Sequence, residues 1–285
     1  MNTTPLPFGT RPTADDDRSA LHGDCLRCHA LCCTALGFER SADFAVDKPA
    51  GTPCPQLATD HRCTIHDALR ARGYRGCTVY DCFGAGQIVS AATADRHPGR
   101  ARTAFPRVQH LHEMLWHLHD AAHRTYDPDT AADARALTAE IHTAVTAVTA
   151  VTTGTTPDRT EPDIPDLHAR VRALLRGVSD EIRGSYPPID EDRPRLAAGV
   201  DLAGADLRHR RMYAADLHGA CLIGADLRGC DLTDADLLGA DLRDARIDDA
   251  DLSRALYVTS PQIGAARGNR CTRLPADIPP PSHFR

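Results

Sequence analysis

From Val200 onward a bulky apolar residue returns at every fifth position: Leu202, Leu207, Met212, Leu217, Leu222, Leu227, Leu232, Leu237, Leu242, Ile247, Leu252 and Tyr257. No ordinary element keeps residues of this spacing together. On an α-helix the fifth residue lies roughly 140° around the axis, and on a flat strand it points to the opposite face. The chain must therefore turn once per repeat. Four such turns close a square coil, and stacked coils bury the apolar column while the backbones pair above and below. Small residues two places before the leucine, among them Ala205, Ala215, Ala220, Ala225, Cys230, Ala235, Ala240, Ala245 and Ala250, suit the remaining inward positions. The Asp between them is expected to face solvent. Roughly twelve frames predict about three coils, a stack about 14 Å tall at a rung spacing of about 4.8 Å. Both ends of such a stack need covering. A helix over Asp166 to Arg183 is expected to cover one, and the Pro-containing tail Thr259 to Arg285 the other.

The unit Ala225-Asp226-Leu227-Arg228-Gly229 resembles the pentapeptide-repeat family over about Val200 to Tyr257, which implies a right-handed quadrilateral β-helix. Some members of that family imitate DNA and bind gyrase. Between Asp201 and Arg254, 12 Asp stand against 7 Arg. A height of about 14 Å, however, matches only about four base pairs at about 3.4 Å each. An acidic DNA mimic that binds gyrase is therefore an alternative, not the leading reading.

The 11 cysteines are the second constraint. Cys25, Cys28, Cys32, Cys33, Cys54, Cys63, Cys77 and Cys82 crowd one stretch, while Cys221, Cys230 and Cys271 lie far downstream. No cationic start or long apolar run marks a secretory signal or a membrane span, so the expected location is cytoplasmic. In a reducing compartment, clustered cysteines point to metal or redox ligands before disulfides. A helix through the first group would set Cys25, Cys28 and Cys32 on one face, and loops rich in Gly and Pro would bring in the rest. All-thiolate coordination favours zinc or an iron-sulfur cluster. The segment from about Asp24 to Cys82 resembles the zinc- or iron-chelating domain family with a C-x-x-C-x-x-C-C signature, although one extra residue separates Cys28 from Cys32. That resemblance implies that the eight cysteines are metal ligands.

Other candidates are weaker. His66 makes a C-x-x-H with Cys63, and His29 suits an outer role beside the thiolates. His119 and His123 are four apart on a predicted helix, but no glutamate stands between them as in H-E-x-x-H, so solvation or packing is expected for them. The glycines near Phe83-Gly84-Ala85-Gly86-Gln87 lack a Walker lysine and a complete dinucleotide fingerprint. Cys221 falls at an outward place of the repeat and Cys230 at an inward one, and neither is expected to be a ligand.

Periodicity predicts helices over about Pro106 to Arg124, around Leu137 to Val148, and over Asp166 to Arg183, with a linker at Gly154 to Pro165. The fold class expected is mixed: a disordered tail over 1–20, a cysteine-rich metal-binding domain over 21–90, a helical region over 101–185, the β-helix over 196–258 and a cap over 259–285. This order of parts resembles actinobacterial pentapeptide-repeat proteins. The net charge of -6, with Lys48 the only lysine, shows no basic footprint for nucleic acid. The expectation is a cytoplasmic metal-binding interaction protein whose β-helix is a rigid surface for a protein partner, with neither nucleic acid nor membrane as a partner and oligomeric state open. An iron-dependent or redox enzyme acting on a peptide or small molecule is the alternative from another class. No catalytic residue is identifiable.

Overall fold

The computed structural model describes residues 18–93, 98–153, 162–187 and 196–284. Most of the expected tail and most of the expected linker fall outside these residues. Arg18–Leu21, however, already form a turn of 3-10 helix in which Arg18 is buried.

The repeat region is a four-sided β-helix. Parallel bridges join Asp201 to Cys221 to Asp241, Asp206 to Asp226 to Arg246, Arg211 to Asp231 to Asp251, and Asp216 to Asp236 to Leu256. A coil therefore takes twenty residues, and a five-residue side gives it four corners. Each corner is a tight turn. In one of them Ala225 N donates to Leu222 O at 3.0 Å, and Gly224 takes φ +64, the positive value that the third position of a type II turn demands. Where glycine is missing, His209, Ala214, Asp234, Asp244 and Asp249 occupy the same left-handed position, which Asp tolerates better than most residues. The leucine column is dry: Leu217, Leu222, Leu227, Leu232, Leu237 and Leu252 have no exposed surface. The small inward positions from Ala215 onward are buried with it.

The repeated Asp does more than face solvent. The carboxylate oxygen of Asp201 accepts from Ala203 N at 3.0 Å, that of Asp231 from Thr233 N at 3.0 Å and that of Asp236 from Leu238 N at 2.8 Å. Each is an Asx turn that occupies a backbone N–H left over where the chain swings around the corner.

Two expectations about the ends are corrected. The helix α6 (Ile164–Gly184) lies along a flank of the stack, where Arg183 meets Asp216 at 3.5 Å and Tyr257 Oη donates to Leu175 O at 2.8 Å. It carries an apolar face, Leu167, Val171, Leu175, Val178 and Ile182, and it packs against the helices Pro98–Arg124 and Pro128–Thr153, so it does not lie across the end of the stack. The tail is not merely an irregular cover. After the short helix α7 (Ser260–Ala265), Arg267 bridges to Arg246 and Arg273 to Asp251, adding two rungs that lack the A-D-L unit. Ile278 and Phe284 are buried beyond them.

Between the β-helix and the cysteine-rich layer runs α4 (Pro98–Arg124), preceded by α3 (Ala85–Thr93) and followed by α5 (Pro128–Thr153). The helix starts eight residues before the expected Pro106, which sits inside it. Its buried residues include the unbroken run Met114, Leu115, Trp116, His117 and Leu118, because neighbours surround it on every side. Trp116 Nε1 donates to Val258 O at 3.1 Å, and Arg124 reaches Asp234 at 3.1 Å and the carbonyl of Arg254 at 2.9 Å. Arg18 stacks over the Trp116 ring at 4.3 Å and pairs with Asp277 at 2.5 Å, joining the two extremes of the described chain. No helix among the described residues is long and apolar enough to cross a membrane.

Candidate functional site

The eight N-terminal cysteines share one loop-rich layer but not one helix. Cys25 lies in a 3-10 turn (Cys25–Arg27), Cys28 is extended, and Ala30 takes φ 53 before α1 (Leu31–Ala35) carries Cys32 and Cys33. The single-face arrangement expected for Cys25, Cys28 and Cys32 is thus replaced by a turn that redirects the chain at Ala30. Gln87 on α3 fixes the first turn, donating to His22 O at 2.9 Å and accepting from Asp24 N at 3.1 Å. Gly86 is small for a reason: a Cβ there would lie 2.8 Å from Cys28 Sγ and 3.6 Å from Cys82 Sγ. The Phe83-Gly84-Ala85-Gly86-Gln87 stretch is therefore a packing device that seats these two thiols.

The second half of the layer is built from short bridges. Phe38 pairs with Lys48, and Leu57 with Cys63. Cys54 N donates to Cys33 O at 2.9 Å, while α2 (Arg75–Thr78) carries Cys77. Arg75 of that helix reaches Asp244 of the β-helix at 3.1 Å. The layer is thereby anchored to the repeat.

All eleven cysteines are free thiols. Cys32 and Cys33 approach to 3.9 Å, the closest meeting of thiols in the layer that a hydrogen bond records. Burial raises the Cys25 thiol, and Cys28, Cys82 and Cys33 raise it further; burial pushes Cys77 up to about 11, with Cys33, Cys54 and Cys63 adding to it. Burial likewise raises Cys54 and Cys82. The hydrogen bond between Cys32 and Cys33 raises Cys32 and lowers Cys33 to about 7, where burial opposes and the Lys48 ammonium assists. Lys48, a residue that composition alone left without a role, is 3% exposed and caps the carbonyls of Leu36 and Pro49 beside these thiols. Among the described residues no three Cys, His, Asp or Glu side chains are gathered closely enough to hold a metal ion. The donor set suits a thiophilic metal by its chemistry, and a closed ligand shell is not preformed.

The histidines pack. His112 bonds Phe83 O at 2.7 Å, His110 lies against His168 at 5.1 Å, and Arg18 donates to His119 at 2.9 Å while the rings of His119 and His123 meet at 4.3 Å. His66 is exposed, and His29 has its N–H on Ser90 Oγ at 2.9 Å. Cys230 behaves as a small core residue: it is 1% exposed, donates to Leu207 O, and has its thiol pushed up to about 11 by burial.

Comparison with known proteins matches the described geometry at the repeat. A model of pentapeptide repeats, in eight copies, covers residues 198–229 and 220–256. Bacillus subtilis (strain 168) protein YybG is 42% identical over 275 residues, which are 93% of this chain and 95% of that protein. The chain is a pentapeptide-repeat protein of the YybG family. The similarity to YybG extends through the cysteine layer and the helices, whereas the repeat model stops short of both. Among solved structures, the pentapeptide repeat protein Rfr23 of the cyanobacterium Cyanothece 51142 is 28% identical over 27% of this chain and 51% of its own, with a TM-score of 0.25. A pentapeptide repeat protein of the Arabidopsis thaliana thylakoid lumen is 30% identical over 25% of this chain and 61% of its own, with a TM-score of 0.12.

Proposed function

We propose that this protein is an interaction scaffold in which the N-terminal thiols hold zinc or an iron-sulfur centre and the β-helix offers a rigid flank to a protein partner. The observation that carries this reading is the crowding of eight free thiols, Cys25, Cys28, Cys32, Cys33, Cys54, Cys63, Cys77 and Cys82, into one loop-rich layer, with the sulfurs of Cys32 and Cys33 3.9 Å apart. Four thiolates make a tetrahedral zinc shell or hold one cluster, so the layer has donors for two centres. A bound metal would cross-link loops that otherwise rest on few apolar contacts, coupling metal uptake to the order of the layer. Lys48 lowers the Coulombic cost of gathering thiolates beside Cys33 and Cys54.

The flank open to a partner carries Asp206, Arg208, Asp226, Arg228 and Arg246, in which Arg208–Asp206 and Arg228–Asp226 pair at 2.7 and 2.6 Å. Such internally neutralised charge favours a partner with its own mixed charges over a polycation or a polyanion. The test is elemental analysis with an ultraviolet-visible spectrum of protein purified anaerobically. Two equivalents of zinc, or iron with inorganic sulfide, is the expected result; metal-free protein that also fails to take up zinc refutes the reading.

A further inference from the structure

The loop from Cys63 to Cys77 begins and ends on thiols of the layer, and between them it carries Arg70 and Arg75, whose side chains hold the C-terminal tail. Arg70 donates to Gly264 O at 3.0 Å, and Arg75 donates to Ala265 O at 3.1 Å and to Asp244 at 3.1 Å. Gly264 and Ala265 are the last residues of α7, whose final carbonyls have no partner inside the helix. Arg70 also donates to His283 Nδ1 at 3.3 Å, so the imidazole carries its proton on Nε2 and donates it to Ala266 O at 2.9 Å. One loop thus grips the tail near both of its ends.

The grip lies where the β-helix gains its two extra rungs. Asp244 accepts from Arg75 on one side and from Arg267 at 2.9 Å on the other, so the loop and the first added rung share one carboxylate. The start of α7 is fixed by the repeat itself, because Gln262 Nε2 donates to Leu237 O at 2.8 Å and to Ala240 O at 3.0 Å. Its far end rests on the loop: a Cβ at Gly264 would touch Thr78 O and Val79 Cγ1 at 3.6 Å, directly after Cys77. The loop has little of its own to stand on. From Cys63 to Thr78 only Tyr74 is buried, and backbone bonds such as Ala45 N to Gly73 O at 2.7 Å and Gly76 N to Asp43 O at 3.0 Å tie it to the rest of the layer. A segment with so few buried contacts opens at low cost, and ligation of a thiolate at each end removes that freedom.

We propose that metal loading of the cysteine layer latches the end of the β-helix shut, an inference that rests on the metal-holding role given to the thiols above. With Cys63 and Cys77 ligated, Arg70 and Arg75 are presented at fixed positions and the tail stays docked. With them free, loop and tail open together. Such coupling is reciprocal, so loosening the tail lowers the affinity for metal by the same factor.

The experiment is hydrogen–deuterium exchange of the full chain, read by mass spectrometry, with zinc content measured on the same samples. Zinc-loaded protein is compared with protein stripped by a chelator under reducing conditions. The expected result is about tenfold faster exchange in the stripped protein over 264–284, where Ala266 N, Arg267 N and Arg273 N are hydrogen-bonded, and no change at the middle-rung amides of Leu222 and Leu227. In a variant carrying Arg70→Ala and Arg75→Ala, tail exchange should be fast with or without zinc, and zinc should bind about tenfold more weakly. Protected middle-rung amides show that this variant is folded, and the comparison of loaded with stripped parent protein does not depend on it. Zinc uptake that leaves tail exchange unchanged overturns the latch while the metal reading stands, and a failure to take up zinc overturns both. A folded double variant whose tail still tightens on zinc binding overturns the latch as well.

Discussion

His117 makes the folded protein sensitive to acid in a defined window. The ring is enclosed by α4 and Tyr257, whose ring stands edge-on at 6.0 Å. Burial lowers its value from 6.5 to about 4, Arg18 acts in the same direction, and Asp120 opposes them. The unfolded chain therefore takes up a proton below about pH 6.5 that the folded chain refuses until about pH 4. Stability falls as the pH drops through that interval, and this contribution to the slope ends below it. At 1.36 kcal/mol per pH unit, the full interval amounts to about 3 kcal/mol. In His117→Phe the ring no longer titrates, and the buried Nδ1 without a partner is gone. The variant should match or exceed the parent at pH 7 and lose about 3 kcal/mol less on going to pH 4. Urea unfolding followed by fluorescence is the assay, because Trp116 is the only tryptophan and sits one residue away. Equal losses in the two proteins between pH 7 and pH 4 would refute the assignment of this acid sensitivity to His117.

Two further predictions concern the repeat. Leu227→Ala empties a fully buried position and should cost about 2–5 kcal/mol of unfolding free energy, whereas Leu202→Ala on the partly exposed first turn should cost clearly less by the same denaturation assay. Asp231→Ala strips the acceptor from Thr233 N and should cost about 1 kcal/mol, while Asp231→Asn keeps an oxygen in place and should cost less than half of that.

The β-helix was legible because a period of five fits neither helix nor flat strand, so the leucine frame admitted one kind of solution. The role of its Asp was also written in the chain, since Asp followed two residues later by a corner N–H is the Asx spacing. Counting these residues as surface charge hid it. Other features were hidden for physical reasons. Pro106 reads as a start because it lacks an N–H, yet α4 tolerates it in its interior while tertiary packing holds the turns on both sides. Arg18 looks like part of a polar tail, and its burial depends on Trp116, Asp120 and Asp277, residues brought together only by the fold. The cysteines announced a common layer by their crowding, but the break that separates Cys25 and Cys28 from the helix of Cys32 depends on the left-handed turn at Ala30, which no glycine marks.

The two rungs that Arg267 and Arg273 add to the β-helix have a consequence for assembly. A stack of parallel coils is in principle open to growth, since the last coil shows a row of backbone groups ready to pair with the first coil of another molecule. Here those groups are occupied on two sides by a segment whose spacing no longer follows the five-residue period, and Ile278 and Phe284 close over the apolar cross-section beside them. The tail works as a terminator: it spends the free edge inside one chain, so a motif that could propagate as a fibre ends as a discrete molecule.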